Sequence, residues 1–233
     1  MKYELIEGKE FLGRKFYRVK ALKSFGDVTK GDIGGYIEKE ANLSQYGMAW
    51  VYGDARVYGD AGVYGNARVS GDAEVYGNAG VYGNARVYGN AKVSGDAEVY
   101  GNAWVYGNAE VSDNARVSGN AWVSGNARVY GNAGVYGNAR VSGDAEVYGN
   151  AGVYGDAEVY GDAVIESNKQ IQTIANLQYH MTFTKNHITI GCQQKTKNEW
   201  LETTKDQAIV MGLGENNYDF FMVLIKTMCN YGE

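Results

Sequence analysis

From Val51 onward, one large and one small apolar residue recur every six positions. Val stands first, Ala stands fifth, and the other places are polar, aromatic or glycine. Nineteen consecutive units follow this rule, from V-Y-G-D-A-R at Val51 to the unit opening at Val159, with no insertion. Position two is Tyr thirteen times and Ser six times, position three is Gly except at Asp113, and position four is always Asn or Asp. An amphipathic helix needs apolar spacing near 3.6 and an extended strand spacing of two. Period six fits neither as a long element, but it fits short strands joined by tight corners. Val is β-branched and suits a strand. Gly followed by Asn or Asp suits a corner, because these residues tolerate positive φ. Each unit therefore predicts one short strand and one corner, with Val and Ala inward and positions six and two outward. A constant period of this kind predicts a solenoid rather than a low-complexity tract. Burying nineteen Val at roughly 1.5 to 3 kcal/mol each gives a sizeable gross driving force, most of it offset by backbone ordering.

Charge patterning predicts the number of units per coil. With three, residues 18 apart stack at about 4.8 Å. One outward column then reads Arg56, Glu74, Lys92, Glu110, Arg128, Glu146, and its alternating signs favour neighbouring strands. Two units per coil would stack Arg56 on Arg68 and group Arg116, Arg128 and Arg140. Three is preferred, although it still leaves Arg68 under Arg86.

The flanks lack the repeat. Residues 1–36 read as an N-terminal β cap, with a strand at Phe16 to Leu22 and a turn at Gly31, Gly34 and Gly35. An earlier coil begins at Ile37, with Ala41 and Leu43 in phase and two extra residues before Val51, so the solenoid spans 37–165. Residues 166–233 read as a hairpin plus two helices, serving as a cap or in oligomerisation. Leu177, Tyr179, Met181 and Phe183 alternate with polar residues, Lys185-Asn186 turns, and Ile188, Ile190 and Cys192 return. Thr196 with Glu199 forms a capping box opening a helix to about Met211. After Gly212 and Gly214, Tyr218, Phe221, Leu224, Ile225 and Met228 recur at helical spacing.

Composition narrows the class. Glycine is abundant at 33 residues, but proline is absent, which excludes collagen. Net charge is −5, which disfavours a nucleic-acid binder relying on phosphate neutralisation. Two Cys, Cys192 and Cys229, make no disulfide framework and point to a reducing compartment. The start MKYELIEGKE is charged from its second residue, unlike a signal peptide. The longest apolar run, Phe220 to Ile225, is far too short to span a bilayer. A soluble, cytoplasmic protein is expected.

The units resemble the hexapeptide repeat of left-handed parallel β-helix proteins, in which a small residue stands two before an aliphatic one, as Ala55 before Val57. The resemblance implies left-handed winding and a triangular section, an all-β solenoid of about seven coils. The entry segment GDIGGYIEKEANLSQYGMAWVYG and the tail ITIGCQQKTKNEW are similar to those of phage and prophage hexapeptide-repeat proteins, often labelled transferases from the repeat alone. Acyltransferases of the hexapeptide class use a general-base His, often a projecting loop, and acyl-CoA held between subunits. The repeats here contain neither His nor loop, and the two His, His180 and His187, fall in the C-terminal segment. Carbonic anhydrase relatives need three zinc-binding His, which are lacking. Corner pairs Asp54/Asp72 and Asp144/Asp162 sit among Asn that satisfy local backbone, so calcium is not expected. Neither Cys lies in a CxxC pattern. No catalytic residue, metal or cofactor is assigned.

The most informative outward column reads Trp50, Arg68, Arg86, Trp104, Trp122, Arg140, Glu158, beside Tyr52, Ser70, Tyr88, Tyr106, Ser124, Ser142, Tyr160. Exposed Trp and Arg are enriched at binding hot spots, and Arg over Trp is a cation–π pair. Trp50, Arg68, Arg86, Tyr88, Trp104, Tyr106, Trp122 and Arg140 are the candidate contact residues. A third face sets Gly62, Gly80 and Gly134 beside Tyr64, Tyr82 and Tyr136, flat enough for close approach of another copy, with a trimer as the candidate form. The repeats carry 13 acidic and 7 basic side chains, but the acids are interleaved with Arg, unlike a DNA mimic. The expected function is a non-enzymatic phage interaction protein that inhibits or sequesters a bacterial host defence factor. Its partner is expected to be a host protein or a small signalling molecule. The alternatives are a CoA-dependent acyltransferase, with His180 or His187 near a subunit cleft, or a structural spacer.

Overall fold

The computed structural model describes residues 1–11, 13–167, 172–174, 181–184, 186–191, 193–214 and 217–230. The chain is a parallel β-solenoid. Each repeat contributes a two-residue strand, such as Arg56–Val57, Gly62–Val63 or Arg68–Val69. Each strand pairs in parallel with the one 18 residues away, so Val57 faces Val75 and Val75 faces Val93. Three units therefore make one coil, and the three strands of a coil enter three separate sheets. The sheet from Trp50–Val51 to Glu158–Val159 has seven strands, which gives about seven turns.

Backbone donors point toward the next coil. The N–H groups of Arg56, Tyr58 and Asp60 donate to the carbonyls of Ala73, Val75 and Gly77 at 2.9, 3.0 and 2.7 Å. Inside the coils, every repeat Val and Ala from Ala55 to Ala163 is at most 2% exposed. On the charged face Glu74 lies between Arg56 and Lys92, and Glu110 between Lys92 and Arg128, as the alternation predicted.

Corners add a second ladder outside the backbone. The side-chain amide of Asn66 donates to Asn84, and the series continues through Asn102, Asn120 and Asn138 to Asp156, at 2.9–3.1 Å. A shorter ladder runs Asn90, Asn108, Asn126, Asp144. Both end at an Asp, because a carboxylate accepts but has no N–H to pass on.

At the N-terminus, Tyr3–Ile6, Tyr17–Ala21 and Ile33–Ile37 form an antiparallel sheet continuous with the charged face. Tyr36 and Ile37 pair in parallel with Arg56 and Val57, and Leu43 bridges Val63, so the first coil begins at Ile37 as predicted, but Ala41 is exposed in the 3-10 turn Glu40–Asn42 and Asn42 is buried instead. The predicted glycine turn is corrected. Only Gly31, with φ +97°, turns the chain, while Gly34 and Gly35 lie within the strand Ile33–Ile37. They are glycine because this strand is pressed onto the first coil. A Cβ on Gly34 would collide with the Val51 carbonyl, and one on Gly35 would stand 2.7 Å from the Ala55 carbonyl oxygen. Lys2 is only 1% exposed, and its Nζ donates to the Ala49 carbonyl at 2.8 Å. Burial, aided by Lys23, pushes its pKa down to about 8.

The C-terminal segment is larger than a hairpin. Gln172–Ile174, Met181–Phe183, His187–Ile190 and Gln193–Thr196 form an antiparallel four-stranded sheet. The helix predicted from Thr196 to Met211 is two helices, α1 (Lys197–Leu201) and α2 (Lys205–Val210), followed by α3 (Tyr218–Asn230). The Thr196–Glu199 capping box is present, and a second box, Thr204 with Gln207, restarts the chain as α2. Met181, Ile188, Ile190, Trp200, Phe221 and Ile225 make a core separate from that of the solenoid. This segment touches the last coil. Thr182 Oγ1 accepts from the Glu158 N–H at 3.2 Å, and Gln194 Nε2 donates to the Tyr160 carbonyl at 2.6 Å. Leu177, Tyr179, His180, Lys185 and Cys192 lie outside the described residues. Among the described residues no helix is long and apolar enough to cross a membrane.

Candidate functional site

The tryptophan face is built by register. Because strands 18 apart pair residue for residue, Arg86 pairs with Trp104, Trp104 with Trp122, and Trp122 with Arg140. Their side chains form one continuous stack. The Arg86 guanidinium lies 5.0 Å from the Trp104 ring, the two indoles stack at 5.4 Å and 12°, and Arg140 lies 4.9 Å from Trp122. Tyr88 and Tyr106 stack at 4.9 Å alongside and meet the indoles edge-on. Both indoles are half-buried and both flanking arginines exposed, so the stack presents ring edges and guanidinium N–H groups outward. Arg140 is held on its far side by Glu158 at 3.2 Å.

Two predicted members depart from this column. Trp50 does not face outward: it is 1% exposed, covered by Tyr3 and Phe25, both edge-on to its ring, and by Gly34. The N-terminal sheet lies over the first coil, so Trp50 is a core residue and is removed from the contact set. Arg68 is turned away from Arg86 toward Asp27, with Nη1 to Oδ2 at 2.8 Å. The like charges that the three-unit coil left stacked are thereby resolved. Asp27 also accepts from the Tyr52 hydroxyl at 2.9 Å. Burial, and then this bond, push the Tyr52 pKa up to about 12.

Between the N-terminal loop and the stack lies a groove of about 440 Å³, lined by Asp27, Tyr52, Arg68, Ser70, Arg86, Tyr88 and Trp104. Sequence reasoning placed Arg68, Arg86, Tyr88 and Trp104 in the contact set, read Tyr52 and Ser70 only as the neighbouring column, and did not name Asp27. Ser70 carried a readable signal, a serine where the repeat favours tyrosine. Asp27 carried none, since it sits in an irregular loop closed by the Phe25–Val28 bridge.

The glycine–tyrosine face differs from its expected form. Gly62, Gly134 and Gly152 are buried because Tyr64, Tyr136 and Tyr154 fold back across them, and a Cβ at any of the three would collide with that ring. These glycines make room for flat-lying tyrosines rather than presenting bare backbone. Gly80 stands apart: Tyr82 there stacks on Tyr100 at 5.0 Å, and a Cβ would make ordinary contact. Tyr64 and Tyr154 are 45% and 55% exposed.

Elsewhere the chemistry is sparse. His187 Nε2 stands 3.4 Å from Asp162 at the junction of the last coil with the C-terminal sheet, and its buried Nδ1 has no hydrogen-bond partner among the described residues. Cys229 is a free thiol whose pKa burial pushes up, away from nucleophilic use. Among the described residues no three His, Cys, Asp or Glu side chains gather to hold a metal ion.

A family model described as the YdcK beta solenoid repeat matches residues 49–65, 61–77, 79–95, 109–125 and 121–137. The matched segments all lie within the solenoid and agree with its coil geometry. A search of curated proteins found no match.

Proposed function

We propose that this β-solenoid is a non-enzymatic interaction protein that inhibits or sequesters a bacterial host factor through its tryptophan face. The observation that carries the proposal is the stack Arg86–Trp104–Trp122–Arg140, half-exposed on a rigid sheet. The inward Val and Ala recur in every unit and hold the coils, whereas two adjacent indoles occur at one place only, and their ring edges remain partly open to a partner. Aromatic rings and arginines whose geometry is fixed in advance lose little entropy on binding. The similarity of the flanks to phage and prophage hexapeptide-repeat proteins supports a partner in the bacterial cytoplasm, and left-handed winding belongs to the same inference. The flat tyrosines Tyr64, Tyr136 and Tyr154 are the proposed face for self-association, with a trimer as the candidate form.

Native mass spectrometry after gentle purification from a bacterial lysate, beside pull-down with the double variant Trp104→Ala/Trp122→Ala, tests the function. Capture by the parent chain and its loss from a variant that melts at the same temperature are expected. Equal capture by the folded variant would refute it.

A further inference from the structure

The tyrosine ladder of the tryptophan face skips one rung at its N-terminal end. Tyr52, Ser70 and Tyr88 occupy successive coils. Where both rungs are tyrosine the rings stack at 4.9 Å, as Tyr88 does on Tyr106. Two coil rises set Tyr52 and Tyr88 about 9.6 Å apart along the ladder, which is the room one further ring takes between them. The skip at Ser118, between Tyr100 and Tyr136, is different, because that serine is only 8% exposed. At Ser70 the slot stays open as the groove of about 440 Å³, within the range of small-molecule sites.

The groove wall is cationic. The lining holds two arginines, Arg68 and Arg86, against one acid, Asp27, which pairs with Arg68, so one positive charge is in excess. Among the described residues no carboxylate pairs with Arg86, and its plane rests on Trp104. Stacking uses the face of a guanidinium and leaves its N–H donors at the edge, the arrangement that grips a phosphate. Ser70, at the floor of the slot, and Asp27 also line the groove, and a hydroxyl and a carboxylate suit the hydroxyls of a sugar.

We propose that this groove binds a nucleoside monophosphate, with the base between Tyr52 and Tyr88 and the phosphate on Arg86. The proposal rests on the reading of the tryptophan face as a binding surface, yet it occupies only the groove end of it. Isothermal titration with adenosine 5′-monophosphate, backed by the fluorescence of Trp104 at the groove wall, tests it. Saturable binding is expected, with adenosine at least tenfold weaker and inorganic phosphate alone giving no signal at the same concentration. Ser70→Tyr restores the missing rung with the residue that the repeat itself prefers, so it should fold and bind the nucleotide at least tenfold more weakly. Arg86→Gln should lose about tenfold for the nucleotide and leave adenosine unchanged. No saturation up to millimolar nucleotide, equal affinity for adenosine, or full affinity in the folded Ser70→Tyr variant would each overturn the proposal. Because Ser70→Tyr leaves Trp104 and Trp122 in place, loss of nucleotide with retained partner capture would separate this site from the proposed function. Retained capture by a chain that binds no nucleotide would sink the site alone.

Discussion

At the corners a single dihedral decides the residue. The repeat glycines hold φ near +70°, and a Cβ on Gly101 would stand 3.0 Å from the Gly119 nitrogen of the next coil. Left-handed backbone costs a residue with a side chain about 1–2 kcal/mol. Gly101→Ala is therefore expected to destabilise the chain by about 2 kcal/mol, read from urea unfolding. Asp113, with φ 57°, shows how a side chain survives there, since its Oδ2 accepts from the Gly131 N–H of the next coil at 3.0 Å. Asp113→Gly exchanges relief of backbone strain for a lost hydrogen bond, two terms of similar size, so its unfolding midpoint should stay near that of the parent. The positive φ was legible from Gly-Asn and Gly-Asp pairs. The glycines at 34, 35, 62 and 134 were misjudged because they answer to a neighbour's volume, and local sequence does not state which neighbour arrives.

At the scale of elements, strands of two residues have almost no internal stability and exist through their ladders. The direction of the corner ladder makes Asn and Asp unequal. Asn120 accepts from Asn102 and donates to Asn138. Asn120→Asp keeps the first bond, loses the second, and sets a carboxylate against the Asn138 carbonyl oxygen. It should cost about 1 kcal/mol, whereas substitution at Asp156, where the ladder ends, breaks a single link. Period and charge alternation foretold strands, coil size and the charged face because all three follow from one repeating unit. The aromatic stack was legible for the same reason, as register alone sets Trp104 against Trp122. The C-terminal segment was less so. Its helix break rests on Thr203 and Thr204, where a second capping box competes with continuation of α1, and helical periodicity does not register that contest.

For the whole molecule, stability passes from coil to coil, and the ends decide whether it begins. The N-terminal end is closed over Trp50 and Lys2. Because Lys2 titrates near 8 when folded and near 10.5 otherwise, the unfolded chain binds more protons between these values, and stability must rise with pH across that window. Above about pH 10 the buried Tyr3 hydroxyl, whose pKa burial pushes up, works in the opposite sense. Unfolding measured from pH 7 to 10 should show a gain of about 2 kcal/mol that Lys2→Met abolishes. Burial of Trp50 by the same closure escaped the sequence, because its position in the column matched its exposed counterparts while the covering loop had no period to read. The strict pairing of residues 18 apart also bears on how such a chain changes length. Removing one unit, Val93 to Glu98, would carry Trp104 round to stand over Gly80 and split the indoles from Arg86. Removing three, Val87 to Trp104, would seat Trp122 on Arg86 and keep every face in register, with one indole fewer in the stack. Gene duplication and slippage in this sequence are thus filtered by arithmetic: gains and losses in multiples of eighteen codons preserve the pattern of all three surfaces, while any other multiple of six keeps the core and scrambles what the molecule displays.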